Sequence, residues 1–219
     1  MPQPRPDDHP RPPSRLRAVA YTVSALALAA AALYLWTVLR PVPYEFASQP
    51  LSNRVEAKDF TLASASGPVR LADFDGEVVV LFFGYTHCPD VCPTEMMQLS
   101  HIYGLLDPAD SARVKVAMVS VDPERDDADI MATYAHAFSP AFLGLTGTSQ
   151  QIADVAKQYW VSYQKYDQTA PGVYFVRHTA SVYVINPHRQ LELIYNSDDL
   201  QNRQQHIADD LHHLLVRGS

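Results

Sequence analysis

Cysteine is scarce in this chain, and so is positive charge over most of its length. Only two cysteines, Cys88 and Cys92, occur in 219 residues. Neither directly follows the apolar segment near the N-terminus, where a lipid would be attached, so we do not expect a lipoprotein. After residue 40 the chain has 12 basic and 22 acidic side chains, a net charge of −10. Such an acidic body argues against nucleic acid as a partner. Internal repeats are also lacking, and the length favours one ordinary domain with extra segments.

The N-terminal region predicts a tail followed by a membrane anchor. Residues 1–17 hold six prolines and four arginines without apolar periodicity, which is typical of a disordered tail. Residues 18–39 carry no charge and are flanked by Arg17 and Arg40. As a helix, these 22 residues would extend about 33 Å, enough to cross a bilayer. The alternative is a cleaved signal peptide, since the alanine-rich centre offers small-residue cleavage sites. The full length of the run favours an uncleaved transmembrane helix.

The charge distribution predicts how such an anchor would be oriented. Arginines precede the span and the acidic body follows it, which places the N-terminus in the cytoplasm and the body outside it. Residues 40–54 contain three prolines and no periodicity, and they are typical of a linker. We expect the folded domain to cover residues 55–219.

The pattern of the body predicts an α/β domain. The apolar run Val78–Phe83 is typical of a buried central strand, and Arg113–Val121, which alternates and then becomes apolar, is typical of a second one. We predict helices over residues 93–106, 126–138, 149–159 (capped by Ser149) and 200–216. Shorter strands are expected near residues 59–71, 142–147, 161–166, 173–176, 179–185 and 191–195, with a turn at Ala170–Gly172. Strand–helix alternation ending in a hairpin and a helix implies a single layered α/β domain.

Both cysteines lie where the first central strand passes into a helix. In open α/β folds, functional sites are found at this carboxyl edge of the sheet. Residues four apart share one helical face, and a helix N-terminus favours thiolate over thiol. Two small buried cysteines are the plainest alternative, but the neighbouring Pro89, Asp90 and Pro93 are unsuited to a core. A structural disulfide would close a very small loop and would add little stability. A redox dithiol or a metal site is the better interpretation.

Three segments of the body resemble the Sco/SenC family of copper chaperones, which has a thioredoxin-like fold. They are Gly84–Glu95 with its Cys-Pro-Asp-Val-Cys motif, Val119–Asp126 with its Val-Asp-Pro-Glu-Arg-Asp string, and Leu143–Gly147. The resemblance covers about residues 55–216. It implies a thioredoxin-like domain behind a single N-terminal transmembrane helix.

The resemblance also implies a ligand and partners. It implies that Cys88, Cys92 and His178 bind one copper ion, Cu(I) or Cu(II), and that the chain assists assembly of the dinuclear copper site of cytochrome c oxidase. The implied partners are the copper-bearing oxidase subunit, other periplasmic copper chaperones or thiol reductases, and the membrane. The implied location is the inner membrane, with the domain in the bacterial periplasm or the mitochondrial intermembrane space. Members of the family often have Asp before the histidine, whereas this chain has Arg177.

The chemistry of these residue types agrees with copper but leaves other functions open. Thiolates suit Cu(I), imidazole also suits Cu(II), and zinc would accept the same set. A thiol–disulfide oxidoreductase that reduces the cysteines of the oxidase needs only the redox dithiol Cys88 and Cys92. A redox or copper sensor is a third hypothesis. The three-residue spacer differs from the Cys-x-x-Cys of ordinary thioredoxins and favours metal binding.

The remaining polar candidates carry weaker expectations. His87 adjoins Cys88 and is a candidate for tuning its pKa or contacting metal, whereas Asp90 is expected to form the loop. We expect the C-terminal histidines His206, His212 and His213 to lie on a solvated helix face. Asp122 ends a central strand at the cysteine edge, where it either orients a ligand or contacts a partner, or else shapes the turn before Pro123.

Overall fold

The computed structural model of the chain describes residues 15–40, 43–167 and 174–218, and for Leu16 it describes the backbone alone. Two compact units are present, one up to Glu45 and one from Phe46 onward. In the first unit, helix α1 spans Arg15–Leu39, and its part Arg17–Leu39 is long and apolar enough to cross a membrane. Most of the predicted tail, residues 1–14, lies outside the described residues.

The second unit is built on a six-stranded sheet with two small hairpins. Its strands are β1 (Val55–Glu56), β2 (Thr61–Ser64), β3 (Gly67–Arg70), β4 (Val78–Gly84), β5 (Val114–Ser120), β6 (Leu143–Leu145), β7 (Tyr163–Asp167), β8 (Tyr174–His178), β9 (Val182–Ile185) and β10 (Gln190–Tyr195). Its helices are α2 (Val91–Leu105), α3 (Pro108–Ser111), α4 (Ala128–His136), α5 (Ser149–Gln158), α6 (Ser197–Asn202) and α7 (Gln204–Arg217), with a 3₁₀ turn at Leu71–Phe74.

The sheet has the order β1-β10-β9-β4-β5-β6, while β2–β3 and β7–β8 form separate two-stranded sheets. Strands β4, β5 and β6 are parallel, and β9 and β10 are antiparallel to their neighbours. Every residue of β4 is buried, as expected of an apolar central strand covered on both faces. The fold is the mixed α/β arrangement that we predicted.

The core lies on both faces of this sheet. Val80 faces Leu99 of α2 and Leu211 of α7 across a small apolar space. Phe83 contacts Tyr159 just after α5, with ring centroids 5.7 Å apart. Because successive strand residues point to opposite faces, these contacts show that helices cover the sheet on both sides.

Several boundaries differ from our predictions, each for a local reason. Helix α2 begins at Val91 instead of Pro93, which places Cys92 inside its first turn. The cap of α5 is Thr148, whose side chain accepts a hydrogen bond from the Gln151 N–H; the predicted cap Ser149 was wrong. The single predicted C-terminal helix is divided into α6 and α7, because the backbone of Arg203 leaves the helical region.

The start of the second unit also differs from the predicted boundary at Val55. The compact unit begins at Phe46, because Ala47 is fully buried and its N–H donates to the Asp210 carboxylate over 2.9 Å. In the β7–β8 hairpin, the predicted turn at residues 170–172 lies outside the described residues.

Candidate metal centre

The structure brings Cys88, Cys92 and His178 together at the carboxyl edge of β4. Their two sulfurs and one imidazole nitrogen all lie within 4.8 Å of one another. Cys88 lies in the loop after β4, Cys92 in the first turn of α2, and His178 at the end of β8. Cys92 and His178 are 86 positions apart in the sequence, so folding of the chain creates the cluster.

Each cysteine has a distinct environment. Cys92 is fully buried, whereas Cys88 is half-buried, and both are free thiols. The Cys92 backbone N–H donates to the Cys88 sulfur over 3.3 Å, as expected at a helix N-terminus. Cys88, which also lines the neighbouring cleft, is therefore the more accessible of the two cysteines.

The two thiols differ in how readily they lose a proton. The pKa of the Cys88 thiol is lowered to about 3, chiefly because the Cys92 thiol donates a hydrogen bond to its sulfur, while burial opposes the shift. The pKa of the Cys92 thiol is raised, because the same hydrogen bond and its burial both favour the protonated form. The first proton therefore leaves Cys88, and the remaining proton stays on Cys92.

Gly84, at the end of β4, leaves the space that Cys92 occupies. A Cβ atom at this position would lie 2.9 Å from the Cys92 sulfur and 2.9 Å from the terminal methyl of Met118. Real Cβ atoms do not approach other atoms so closely, so a side chain here would displace the sulfur. Gly84 is thus required for the position of Cys92.

His178 is oriented for binding through Nε2. Its Nδ1 lies 3.1 Å from the carbonyl oxygen of Thr179, which can only accept, so Nδ1 carries the proton. Nε2 lies 3.4 Å from the Cys92 sulfur and presents its lone pair there when the ring is neutral. The rings of Phe82 and Tyr85 pack edge-on against the imidazole, with centroids 6.2 and 5.9 Å away.

A buried carboxylate holds the loop that leads to Cys88. Asp126 is fully buried and accepts hydrogen bonds from the Thr86 N–H, the Thr86 hydroxyl and the Ser120 hydroxyl at 3.1, 2.6 and 2.7 Å. His87 is turned towards the same carboxylate, with Nδ1 3.8 Å from Oδ1. Among the described residues, His87 is not one of the three donors of the cluster. This geometry does not support the expectation that His87 contacts the metal.

The cluster opens onto a cleft. Cys88, Pro89, Tyr85, Val176 and His178 are among the residues that line it. Arg177 lies beside His178 on this rim, with its guanidinium 5.5 Å from the ring centroid of Tyr166. A bound ion would therefore be accessible to a partner from one side.

The other predicted candidates have structural partners. Nδ1 of His212 lies 2.6 Å from Oδ2 of Asp110, and Asp107, which lies close to both, caps α3. His206 lies 3.9 Å from the Asp210 carboxylate. Asp90 directly precedes α2, and its carbonyl accepts from the Thr94 hydroxyl over 2.9 Å.

Sequence reasoning missed Tyr85, Asp126 and Thr179 as contributors to this site. No spacing rule connects Thr179 or Tyr85 to the cysteines, since their contacts depend on tertiary structure. Asp126 closes the Val-Asp-Pro-Glu-Arg-Asp string, which was the one available signal.

The donor set fits copper. Two sulfurs suit Cu(I), an imidazole nitrogen suits both oxidation states, and three protein donors leave a coordination position open. Zinc accepts the same donors, so the residue types alone do not select the metal.

Comparisons with known proteins agree with this architecture. The family described as SCO1/SenC matches residues 48–216. Protein SCO2 homolog, mitochondrial, of Mus musculus is 40% identical over 131 residues, which are 59% of this chain and 51% of the relative. The chain spans about half the length of the curated relatives it matches.

Solved structures similar to this chain are also structures of Sco proteins. The solution structure of apo Sco1 protein from Thermus thermophilus is 41% identical, with a TM-score of 0.72 over 80% of this chain and 99% of that one. The structure of Bradyrhizobium japonicum ScoI with copper bound is 32% identical, with a TM-score of 0.66 over 73% of this chain and 99% of that one. These proteins share the thioredoxin-like Sco fold with this chain.

Proposed function

This chain belongs to the SCO1/SenC family, and from that membership we propose that it is a membrane-anchored copper metallochaperone. It binds one copper ion through Cys88, Cys92 and His178 and assists assembly of the dinuclear copper site of cytochrome c oxidase. The observation that carries the proposal is the convergence of two sulfurs and one imidazole nitrogen within 4.8 Å at an open cleft.

The three side chains divide the work of holding and releasing the ion. Cys92 is buried and remains attached to the ion for longest, whereas Cys88 faces the cleft and is the first ligand that a partner can replace. The Thr179 carbonyl holds the imidazole so that Nε2 faces the sulfurs. Transfer then proceeds by ligand exchange, in which a cysteine of the oxidase subunit enters the open position and displaces Cys88.

A second function, thiol–disulfide exchange with the oxidase, is favoured by the unequal cysteines. Cys88 has a pKa lowered to about 3 and is half-buried, so it is a thiolate at neutral pH. Attack of this thiolate on a disulfide of the partner would form a mixed disulfide and release one partner thiolate. Cys92 would then displace the second partner thiol and close a Cys88–Cys92 disulfide. This route does not use His178.

The domain order and the location are part of the proposal. Residues 1–17 form a cytoplasmic tail and 18–39 the anchor, and a short linker leads to the copper-binding domain, whose compact unit begins at Phe46 and which lies in the periplasm or the intermembrane space. The apolar helix Arg17–Leu39 supports the anchor. A reporter that is active only in the cytoplasm, fused after Ser219, is expected to be silent. A mature N-terminus near residues 30–45 would instead identify a signal peptide.

Variants of the three donors separate the two functions in cells. For a chaperone, Cys88→Ser, Cys92→Ser and His178→Ala all fail to support oxidase assembly, and added copper partly rescues the His178 variant. Oxidase activity and the spectrum of its dinuclear copper site are the measurements. Normal assembly with His178→Ala, together with failure of both cysteine variants, would show that the chain acts as a reductase and not as a copper chaperone.

A further inference from the structure

The hairpin that carries His178 is not part of the main sheet. Strands β7 and β8 pair only with each other among the described strands, and His178 stands at the end of β8 opposite Tyr163. The position of His178 relative to the cysteines therefore depends on the contacts that dock this hairpin on the body. Hydrogen bonds between β7 and β8 cannot fix the position of His178 relative to the cysteines.

One hydrogen bond docks the hairpin near its His178 end. The Val176 N–H donates to the Tyr85 hydroxyl over 3.2 Å. It joins β8 to the loop after β4, whereas the hydrogen bond from the Thr179 N–H to the Ser162 carbonyl only continues the pairing of β7 with β8. The Val176 amide is therefore a local reporter of docking.

The strongest docking contact is a buried carboxylate. Asp122, two residues after β5, is fully buried, and its Oδ1 accepts from the Tyr174 hydroxyl on β8 over 2.8 Å. Lys165 on β7 places Nζ 3.8 Å from the same oxygen. Both strands of the hairpin thus reach one carboxylate of the body.

Arg125 completes this contact. Its Nε donates to Asp122 Oδ2 over 2.5 Å, and its Nη1 donates to the Tyr174 carbonyl over 3.2 Å. The guanidinium also lies 3.7 Å from the centroid of the Tyr174 ring. Tyr174 is therefore bound through its hydroxyl, its carbonyl and its ring.

Separation of the hairpin from the body would leave a buried carboxylate short of partners. Asp122 would keep Arg125 but lose both hairpin donors, and burial of an incompletely paired charge is costly. A hydrogen bond to a charged group changes such an equilibrium by a factor of roughly 10 to 150. Loss of the Tyr174–Asp122 hydrogen bond should shift the equilibrium towards the separated hairpin by about that factor.

We propose that Asp122, acting through Tyr174 and Arg125, is a positioning residue that holds the β7–β8 hairpin docked and so keeps His178 on the copper site. The inference rests on the proposed copper-binding function. When the hairpin is docked, an ion has two sulfurs and one nitrogen; when it separates, the ion keeps the two sulfurs alone. The contacts of Asp122 with Tyr174 and Arg125, which we call the clamp, consequently control retention of Cu(II), which depends on the imidazole, more than retention of Cu(I).

The test uses the full chain in detergent with Tyr174→Phe, which removes the hydroxyl and keeps the ring. The matched control is Tyr166→Phe on the same hairpin, whose hydroxyl has no hydrogen bond within the described part of the chain. In the metal-free protein, exchange of the Val176 amide should accelerate about 10-fold or more in Tyr174→Phe. The control should exchange like the unmodified chain. Asp122→Asn, which keeps the shape and removes the charge, should also accelerate exchange.

Copper release tests the link to His178. Release of Cu(II) to excess EDTA should accelerate in Tyr174→Phe, whereas release of Cu(I) to bathocuproine should change little. In a His178→Ala background, Tyr174→Phe should have no further effect on Cu(II) release, because both changes act on one ligand.

The outcomes separate this inference from the proposed function. Unchanged Val176 exchange in both Tyr174→Phe and Asp122→Asn would refute the clamp, whatever the copper data. Faster exchange with additive effects of Tyr174→Phe and His178→Ala would show that the clamp does not act through His178, which also refutes the proposal. If the unmodified chain bound no copper at these residues, the proposed function would fail, while Val176 exchange would still decide whether the clamp exists.

Discussion

The lowered pKa of Cys88 predicts an alkylation rate that does not depend on pH. An ordinary cysteine has a pKa of about 8.5, so its thiolate fraction rises about 10-fold per pH unit, or about 1000-fold between pH 5 and pH 8. With a pKa of about 3, Cys88 is already a thiolate throughout this range. Its reaction with iodoacetamide should therefore proceed at one rate from pH 5 to pH 8.

The same pKa also predicts that this pH-independent rate of alkylation is slow. Thiolate nucleophilicity falls with pKa, with a Brønsted coefficient of about 0.4–0.5, so a shift of this size slows the thiolate by about 100- to 1000-fold. Peptide mass spectrometry on the metal-free, reduced chain measures modification of each cysteine separately. Cys92 is fully buried, and the native protein should not be alkylated there.

Cys92→Ala is the informative variant, because the hydrogen bond from Cys92 is the largest cause of the shift. Its loss should raise the pKa of Cys88 and restore a rate that increases with pH. A rate that rises 10-fold per pH unit in the unmodified chain, with a midpoint near 8.5, would refute the unequal sharing of the proton.

Three further predictions follow from named contacts. His178→Ala should weaken Cu(II) binding strongly, weaken Cu(I) binding less, and leave the Cys88/Cys92 redox couple in place, as measured by metal titration and by thiol redox equilibration; Cu(II) binding at the affinity of the unmodified chain would remove His178 from the ligands. Gly84→Ala should lower copper affinity about 10-fold or more, because its Cβ would lie 2.9 Å from the Cys92 sulfur. Gly104→Ala, whose Cβ meets nothing within 4 Å, is the control, and equal affinities in the two variants would contradict the account. Asp126→Ala should destabilise the domain by roughly 2–4 kcal/mol in urea unfolding, since it removes three hydrogen bonds to a buried carboxylate; a change below about 1 kcal/mol would show that the Thr86 loop is held by other contacts.

The parts of the fold with strong local patterns were predictable from the sequence. The run Val78–Phe83 is apolar throughout, and its short length between Gly76 and Gly84 favours a strand covered on both faces. The cysteine pair could be placed at the end of that strand because Pro93 and its neighbours favour a helix start. Boundaries that depend on a single cap or on tertiary packing were misplaced: the cap of α5 is Thr148 instead of Ser149, and the compact unit begins at Phe46 instead of Val55.

The third donor, His178, could not be predicted from local sequence patterns. His178 is 86 positions from Cys92, and its approach to the sulfurs depends on a hairpin docked by Asp122 and Tyr85. Nothing in the spacing of these residues encodes that docking, and His178 was identified only through resemblance to the Sco/SenC family. The contacts of Asp122 with two strands of a hairpin likewise exist only in the folded chain.

X-ray absorption at the copper edge tests most directly whether Cys88, Cys92 and His178 hold the ion. The full chain, reduced and loaded with copper, should bind one ion per chain with two sulfur neighbours and one nitrogen of an imidazole. His178→Ala should lose the nitrogen signal and keep both sulfurs, and oxidation to a Cys88–Cys92 disulfide should abolish binding. A first shell without sulfur, or an unchanged copper content in the oxidised chain, would place the metal elsewhere and contradict the account.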